Sequence, residues 1–217
     1  MKIKLKSDFY DFYDHLFDLD GGIIWERMTR TKRSRADDIK LLHSVGYPTP
    51  AFGKIKFFKS LNNTENRYIV YTDPYAHCGE GKCIVFHEDL DNFDDNLYCS
   101  VYIPSRVAYH IRHLVVGDWF IVLKYKSNHE WLSSYAPTIK IEQVSRIEDK
   151  FKKFLPIFNI QRELESPLVA LDGKFMDGIL CFFDLNTAPA LTLLEGIFSP
   201  KEVEEAIRNF WNDLRKG

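Results

Sequence analysis

Apolar positions along this chain repeat with two periods, and the switches between them mark out the elements. Met1 to Lys6 alternates as an edge strand, after which Ser7 opens a helix with Phe9, Phe12, Tyr13, Leu16 and Phe17 at helical spacing. Asp20-Gly21-Gly22 stops that helix, and Ile23 to Met28 reads as a short strand. A basic stretch with Lys32, Arg33 and Arg35 leads to a second helix capped by Ser34, with Ile39, Leu41, Leu42 and Val45 apolar. Gly46 fits its C-terminus, and Tyr47-Pro48-Thr49-Pro50 forces an extended exit. The segment that follows reads as a loop.

From Arg67 onward the period is two. Arg67 to Thr72 and Cys83 to Phe86 read as strands joined by a turn with Gly79, Gly81 and Lys82, and Leu97 to Pro104 as a third strand ending in a turn. His87 to Asn96 is acidic, a loop or short helix. Tyr109 to Val116 and Trp119 to Tyr125 flank Gly117-Asp118 as a hairpin, and Thr138 to Gln143 adds a strand. Ile147 to Glu163 is helical and is broken at Pro156. Two apolar runs around Asp177-Gly178 make a second hairpin, and Ser199-Pro200 opens a last helix with Val203, Ile207, Phe210, Trp211 and Leu214 on one face. Helices and antiparallel hairpins in this order predict an α+β fold.

Composition narrows the class. With 217 residues, 45% hydrophobic, 28% charged and 15% aromatic, the chain is folded throughout and long enough for one domain or two small lobes. A net charge of −2 gives no global attraction to nucleic acid or anionic membrane. Cys78, Cys83, Cys99 and Cys181 lack C-x-x-C spacing and read as reduced thiols, which together with an N-terminus too acidic for a signal peptide predicts a cytoplasmic protein. Cys78 and Cys83 with His77 or His87 have zinc-binding chemistry at irregular spacing. No apolar run is long enough for a membrane span.

The second hairpin carries the candidate chemistry. Asp172 lies near the end of its first strand, and Asp184 and Asn186 at i and i+2 share a face of the second. Three oxygen donors on one sheet suit a hard cation such as Mg²⁺; equally, Asp, Asn and Pro gather at strand ends as turn residues. A separate acidic group, Asp11, Asp14, His15 and Asp18, follows one face of the first helix, where it reads as a metal site or as a solvated face.

The order of these motifs resembles the ATP-grasp family. Ser34 to Pro50 looks like its basic residue, helix and Gly-Ile-Pro-x-Pro opening; Ile69 to Phe86 like its strand, glycine loop and returning strand; Ser100 to Pro104 like the segment over the adenine; Arg112 to Asp118 like its arginine hairpin; and Asp172, Asp184 and Asn186 like its Mg²⁺-holding acid and acid-x-Asn pattern. The resemblance implies two α+β lobes, 1–104 and 105–217, whose antiparallel sheets enclose a nucleotide cleft. It implies ATP and Mg²⁺ as cofactors and a carboxylate–amine ligase acting through an acyl phosphate on a small-molecule or peptide carboxylate. Arg112 and Lys82 would be catalytic; Arg35, Gly79, Gly81, Lys82, Val101, Tyr102, Ile103 and Lys124 would contact the nucleotide; Asp172, Asp184 and Asn186 would hold the metal. The chain departs from the pattern at Tyr71, where a lysine is usual, at Asp184, where glutamate is, and at Trp131 to Ala136, which lacks the usual arginine and asparagine. It looks like a reduced or divergent member, for which a homo-oligomer is one way to complete the site. Two further readings stand beside the ligase: a degenerate nucleotide- or protein-binding module, and a metal-dependent hydrolase using Asp11, Asp14 and His15.

Overall fold

The computed structural model describes residues 33–61, 66–75, 81–104, 109–126, 138–187, 189, 194 and 197–216. The first helix, Gly79 and the Asp11, Asp14, His15 and Asp18 group lie outside the described residues, as do Cys78 and His77 of the zinc set.

Two antiparallel sheets organise the chain. The smaller contains β1 (Phe52–Lys54), β2 (Arg67–Tyr71), β3 (Lys82–Phe86) and β4 (Tyr98–Val101) in the order β1-β4-β2-β3. The larger contains β5 (Tyr109–Val116), β6 (Trp119–Lys126), β7 (Thr138–Arg146), β8 (Leu168–Met176) and β9 (Ile179–Asn186) in the order β7-β6-β5-β8-β9. β1 and the short helix α2 (Ile55–Lys59) fall where the sequence reads as a loop. β1 pairs with β4 more than forty positions away (Phe52 with Ser100), so its stability is not a local property. Ile55 and Phe58 of α2 close a small core with Tyr68, Val70, Leu90 and Cys99.

The larger sheet is covered on both faces. Leu114, Val116, Leu168 and Ala170 face α5 (Pro200–Leu214), which presents Val203, Ile207 and Trp211. A capping box secures the start of α5: Ser199 N donates to Glu202 Oε2 at 2.7 Å, and Ser199 Oγ accepts from Glu202 N at 3.4 Å. Ala206 of α5 approaches the β5–β6 turn so closely that a Cβ on Gly117, at φ +55°, would sit 2.7 Å from its carbonyl oxygen. On the other face Val115, Val169 and Leu171 pack against Leu41 and Leu42 of α1 (Arg35–Ser44) and Ile157, Phe158 and Ile160 of α4 (Pro156–Glu163). Pro156 is the first residue of α4 and separates it from α3 (Asp149–Lys152), as the sequence predicts. α1, which the reading by sequence assigns to the first lobe, thus packs on the second sheet.

The β8–β9 hairpin turns at Asp177 (φ +51°) and Gly178 (φ +82°), two left-handed residues as a tight hairpin of this kind requires. A bulge between Asp172 and Gly173 interrupts its ladder: Asp172 pairs with Asp184, but Gly173 pairs with Phe182, leaving Phe183 without an opposite residue. Simple alternation would put Phe182 on the face of Asp184. The bulge turns it over, and Phe182 joins Leu185 in the core under α1 and α4.

Candidate functional site

Where α5 ends, the same face of the larger sheet becomes polar. Arg112 on β5 stands opposite Asp172 on β8, and Asp172 stands opposite Asp184 on β9. Arg112 binds Asp172 bidentately, Nε to Oδ1 and Nη2 to Oδ2, both at 2.7 Å, with side chains only 12% and 8% exposed. Its guanidinium lies 5.1 Å from the Tyr125 ring centre. Burial works against the charge on Arg112, but the Asp172 carboxylate outweighs it and holds the proton more firmly than usual.

Asp184 is held from another direction. Arg35, buried at the first position of α1, binds Asp184 Oδ1 through Nη1 and lies 3.6 Å from Asp38 Oδ2. Asp38 also accepts from Arg33 Nε at 3.2 Å. Burial pushes the Asp38 carboxyl up to about 6, with Arg35 pulling the other way. The local cause of this placement is the cap: Ser34 Oγ accepts from Asp37 N at 3.2 Å, and the Arg35 amide donates to the Pro74 carbonyl at 3.0 Å, fixing where the helix starts.

The cleft opens between this polar patch and the smaller sheet. Ile69, Val101, Tyr102 and Ile103 form one wall and Lys174 and Phe183 the other, around an empty volume of about 310 Å³ that includes space open to solvent. Lys174 is buried with its Nζ 5.6 Å from the Tyr102 ring centre, and the Arg67 guanidinium carbon lies 4.5 Å from the same ring centre. The Tyr102 amide donates to the Arg67 carbonyl at 2.8 Å. His110, two residues before Arg112 on β5, is 1% exposed, and neither of its ring nitrogens has a hydrogen-bond partner among the described residues. Burial and the nearby Lys174 lower its pKa to about 4, so the ring is neutral.

Tyr71, at the position where the resemblance leads one to expect lysine, pairs across β2–β3 with Lys82. Its phenol is buried, shares a 3.1 Å hydrogen bond with Ser100 Oγ, and is pushed up to about 12 by burial, so it carries no charge. Lys82 is a cation on this side, close enough to act electrostatically on His110. Gly81, at φ +59°, accepts from the Asp73 amide at 3.0 Å and positions the entry to β3. Lys124 pairs with Ile111, on the face of β5–β6 opposite to Arg112 and Leu123. It is therefore not brought to the cluster; the alternation of the strand places it on the other side. Asn186 pairs with Ala170, one same-face step beyond Asp184, and is exposed. Reading by sequence missed Lys174, His110 and Asp38. Period two marks Lys174 from Asp172 and His110 from Arg112, and helical spacing marks Asp38 from Arg35.

The donor set can be tested against Mg²⁺. Asp172 and Asp184 face each other as a metal pair would, yet both Asp172 oxygens accept from Arg112 and Asp184 accepts from Arg35. Among the described residues no group of three His, Cys, Asp or Glu side chains could hold a metal ion. A dication inserted here would meet two guanidinium groups in direct contact with its ligands, so the arrangement does not fit Mg²⁺. Among the described residues, Arg33, Arg35, Lys82, Arg112 and Lys174 accompany Asp38, Asp172 and Asp184 in this cluster.

No helix among the described residues is long and apolar enough to cross a membrane. No family model matches the sequence, and no curated protein matches it. Solved structures do match the fold. A RiPP-associated ATP-grasp ligase from Chryseobacterium gregarium, in complex with ADP and a leader and core peptide, superposes with TM-score 0.59 at 13% identity over 87% of this chain and 61% of that one. D-alanine–D-alanine ligase from Bacillus anthracis complexed with ATP gives 0.52 at 15% identity over 90% and 67%. The macrocyclase MdnC of Microcystis aeruginosa MRC, bound with its precursor peptide MdnA, gives 0.55 at 14% identity over 84% and 62%. The chain spans about three fifths of the length of the first and third of these. With its two antiparallel sheets, the chain has the fold of these ATP-grasp ligases.

Proposed function

We propose that the cleft binds ATP and that the protein is an ATP-dependent ligase joining a carboxylate to an amine or similar nucleophile through an acyl phosphate. The observation that carries this reading is the pairing of an apolar hinge wall, Val101 to Ile103, with a basic patch on the facing sheet, within a fold shared with ligases described with ADP, ATP and peptides. The hinge backbone suits the edge of a purine. Lys82, Lys174 and Arg112 lie where triphosphate charge would fall, and charge neutralisation with positioning is most of what phosphoryl transfer asks of a protein. Two of the three relatives named above are described with peptides, so a peptide carboxylate is the first substrate class to try.

A binding module that holds nucleotide without ligation is the second reading. Neutral Tyr71 at the usual lysine position and the arginine-paired acids favour it. ADP release measured across a panel of amino acids and peptides separates the two: ligation requires release that depends on both a carboxylate and an amine, whereas thermal stabilisation by ATP without release leaves the module. ATP at ~100 times its Kd adds ~2.7 kcal/mol to a state that binds it, and no shift in melting temperature at such concentrations would exclude both.

A further inference from the structure

We propose that Arg35 and Arg112 take the part of the divalent cation in this cleft, so that it binds the phosphates of a nucleotide without Mg²⁺; this rests on the nucleotide reading above. Carboxylates directly opposite each other on a ladder, as Asp172 and Asp184 are, repel unless positive charge lies between or beside them. In a metal site the dication supplies that charge. Here one guanidinium supplies it from the neighbouring strand in a two-point contact, and a second comes from the start of α1. The carboxylates are therefore neutralised before any ligand arrives. Mg²⁺ requires a near-octahedral oxygen shell and gives up its waters reluctantly. To coordinate it, Asp172 would have to release a bidentate, largely buried partner, and Asp184 would have to release Arg35.

The remaining chemistry points to an anion. A guanidinium has five N–H donors in a fixed fork, and Asp172 uses only two of those on Arg112. Arginine recognises phosphate through such paired donors. His110 lies against Phe183, with ring centres 6.2 Å apart, and close to Lys174, both of which line the cleft. Its two nitrogens, buried and unpartnered among the described residues, gain a partner if a ligand oxygen reaches them.

Calorimetric titration of the full chain with ATP, in excess EDTA and in excess MgCl₂, tests this. The two dissociation constants should agree within about threefold, a difference worth less than one decade of affinity. Asp184→Asn removes the charge that holds Arg35 and should tighten ATP binding in EDTA by about twofold or more, whereas Arg35→Gln should weaken it by about tenfold. Circular dichroism and melting of each variant establish that it is folded. Tightening by Mg²⁺ of more than about threefold, or loss of binding in folded Asp184→Asn, overturns the inference and restores Asp172, Asp184 and Asn186 as metal ligands. Absence of ATP binding under both conditions removes the nucleotide reading itself, and the inference with it.

Discussion

The face of the larger sheet that begins under α5 has two halves, built on the same strands and the same alternation, and they are held in opposite ways. Toward one end Leu114, Val116, Leu168 and Ala170 are sealed by Val203, Ile207 and Trp211. Two residues further along each strand stand Arg112 and Asp172, then His110 and Lys174, with Lys174 in the wall of the cleft across from Tyr102 and Ile103. The apolar half is stable because contact removes area from water, a term that tolerates any well-packed shape. The polar half is stable only because specific charges find specific partners, since an unpaired charge at that depth is expensive. The shared ladder ties one to the other: the rigid apolar half holds β5 and β8 in register, so that Arg112 and Asp172 meet at 2.7 Å.

Breaking the polar half should be the costlier damage. Asp172→Ala leaves the Arg112 guanidinium buried without its partner and should lower stability by about 3–5 kcal/mol, whereas the double replacement Arg112→Met with Asp172→Leu should recover most of that loss. Urea denaturation of the three proteins measures it; equal losses in the single and double variants would mean that the pair is not the reason for the cost. In the apolar half, Ile207→Ala removes a fully buried side chain and should cost about 2–5 kcal/mol through lost burial and a cavity. There no companion mutation on the sheet should restore it, and rescue by a polar residue would contradict the contrast between the halves.

A smaller effect depends on pH. His110 in the polar half and His113 on the reverse face, among Tyr47, Phe120 and Phe182, are lowered by burial to about 4, against the ordinary 6.5. Between those values the unfolded chain binds more protons than the folded one at both sites, so stability falls as pH drops from about 6.5 toward about 4. Asp38, raised to about 6 from 3.8, acts with the opposite sign over nearly the same range. Two histidines against one aspartate leave a net slope of about one proton, or ~1.4 kcal/mol per pH unit. Asp38→Asn should roughly double the slope by removing the opposing group. Denaturant midpoints measured between pH 4.5 and 6.5, as a rough window on these pKa values, check both; a flat profile in the unaltered protein would refute the assignment.

Legibility followed sequence distance. Both hairpins of the larger sheet, the Asp177-Gly178 turn and the capped α5 rest on neighbours within a few residues, and they were readable from alternation and punctuation. β1 and α2 were not. A three-residue strand in Phe52-Gly53-Lys54 has no periodicity of its own and exists because β4 lies beside it. The site divided likewise: simple alternation back from the turn would set Asp172 opposite Phe183, and only the bulge sets it opposite Asp184, while the alternation of β6 places Lys124 with Ile111 on the reverse face.

The sequence by itself determined the elements of short range: which runs alternate, where helices start and stop, and that two carboxylates lie on the two strands of one tight hairpin. Those choices depend on propensity, capping and period, all local properties of the backbone. Only the tertiary structure decided what neutralises the carboxylates. Arg112 reaches Asp172 across 60 residues of chain and Arg35 reaches Asp184 across 149, and neither separation carries a sequence signal. Charge pairing depends on distance in space, which is set by how the two sheets and α1 pack; the same acids therefore read as metal ligands in one dimension and as arginine partners in three.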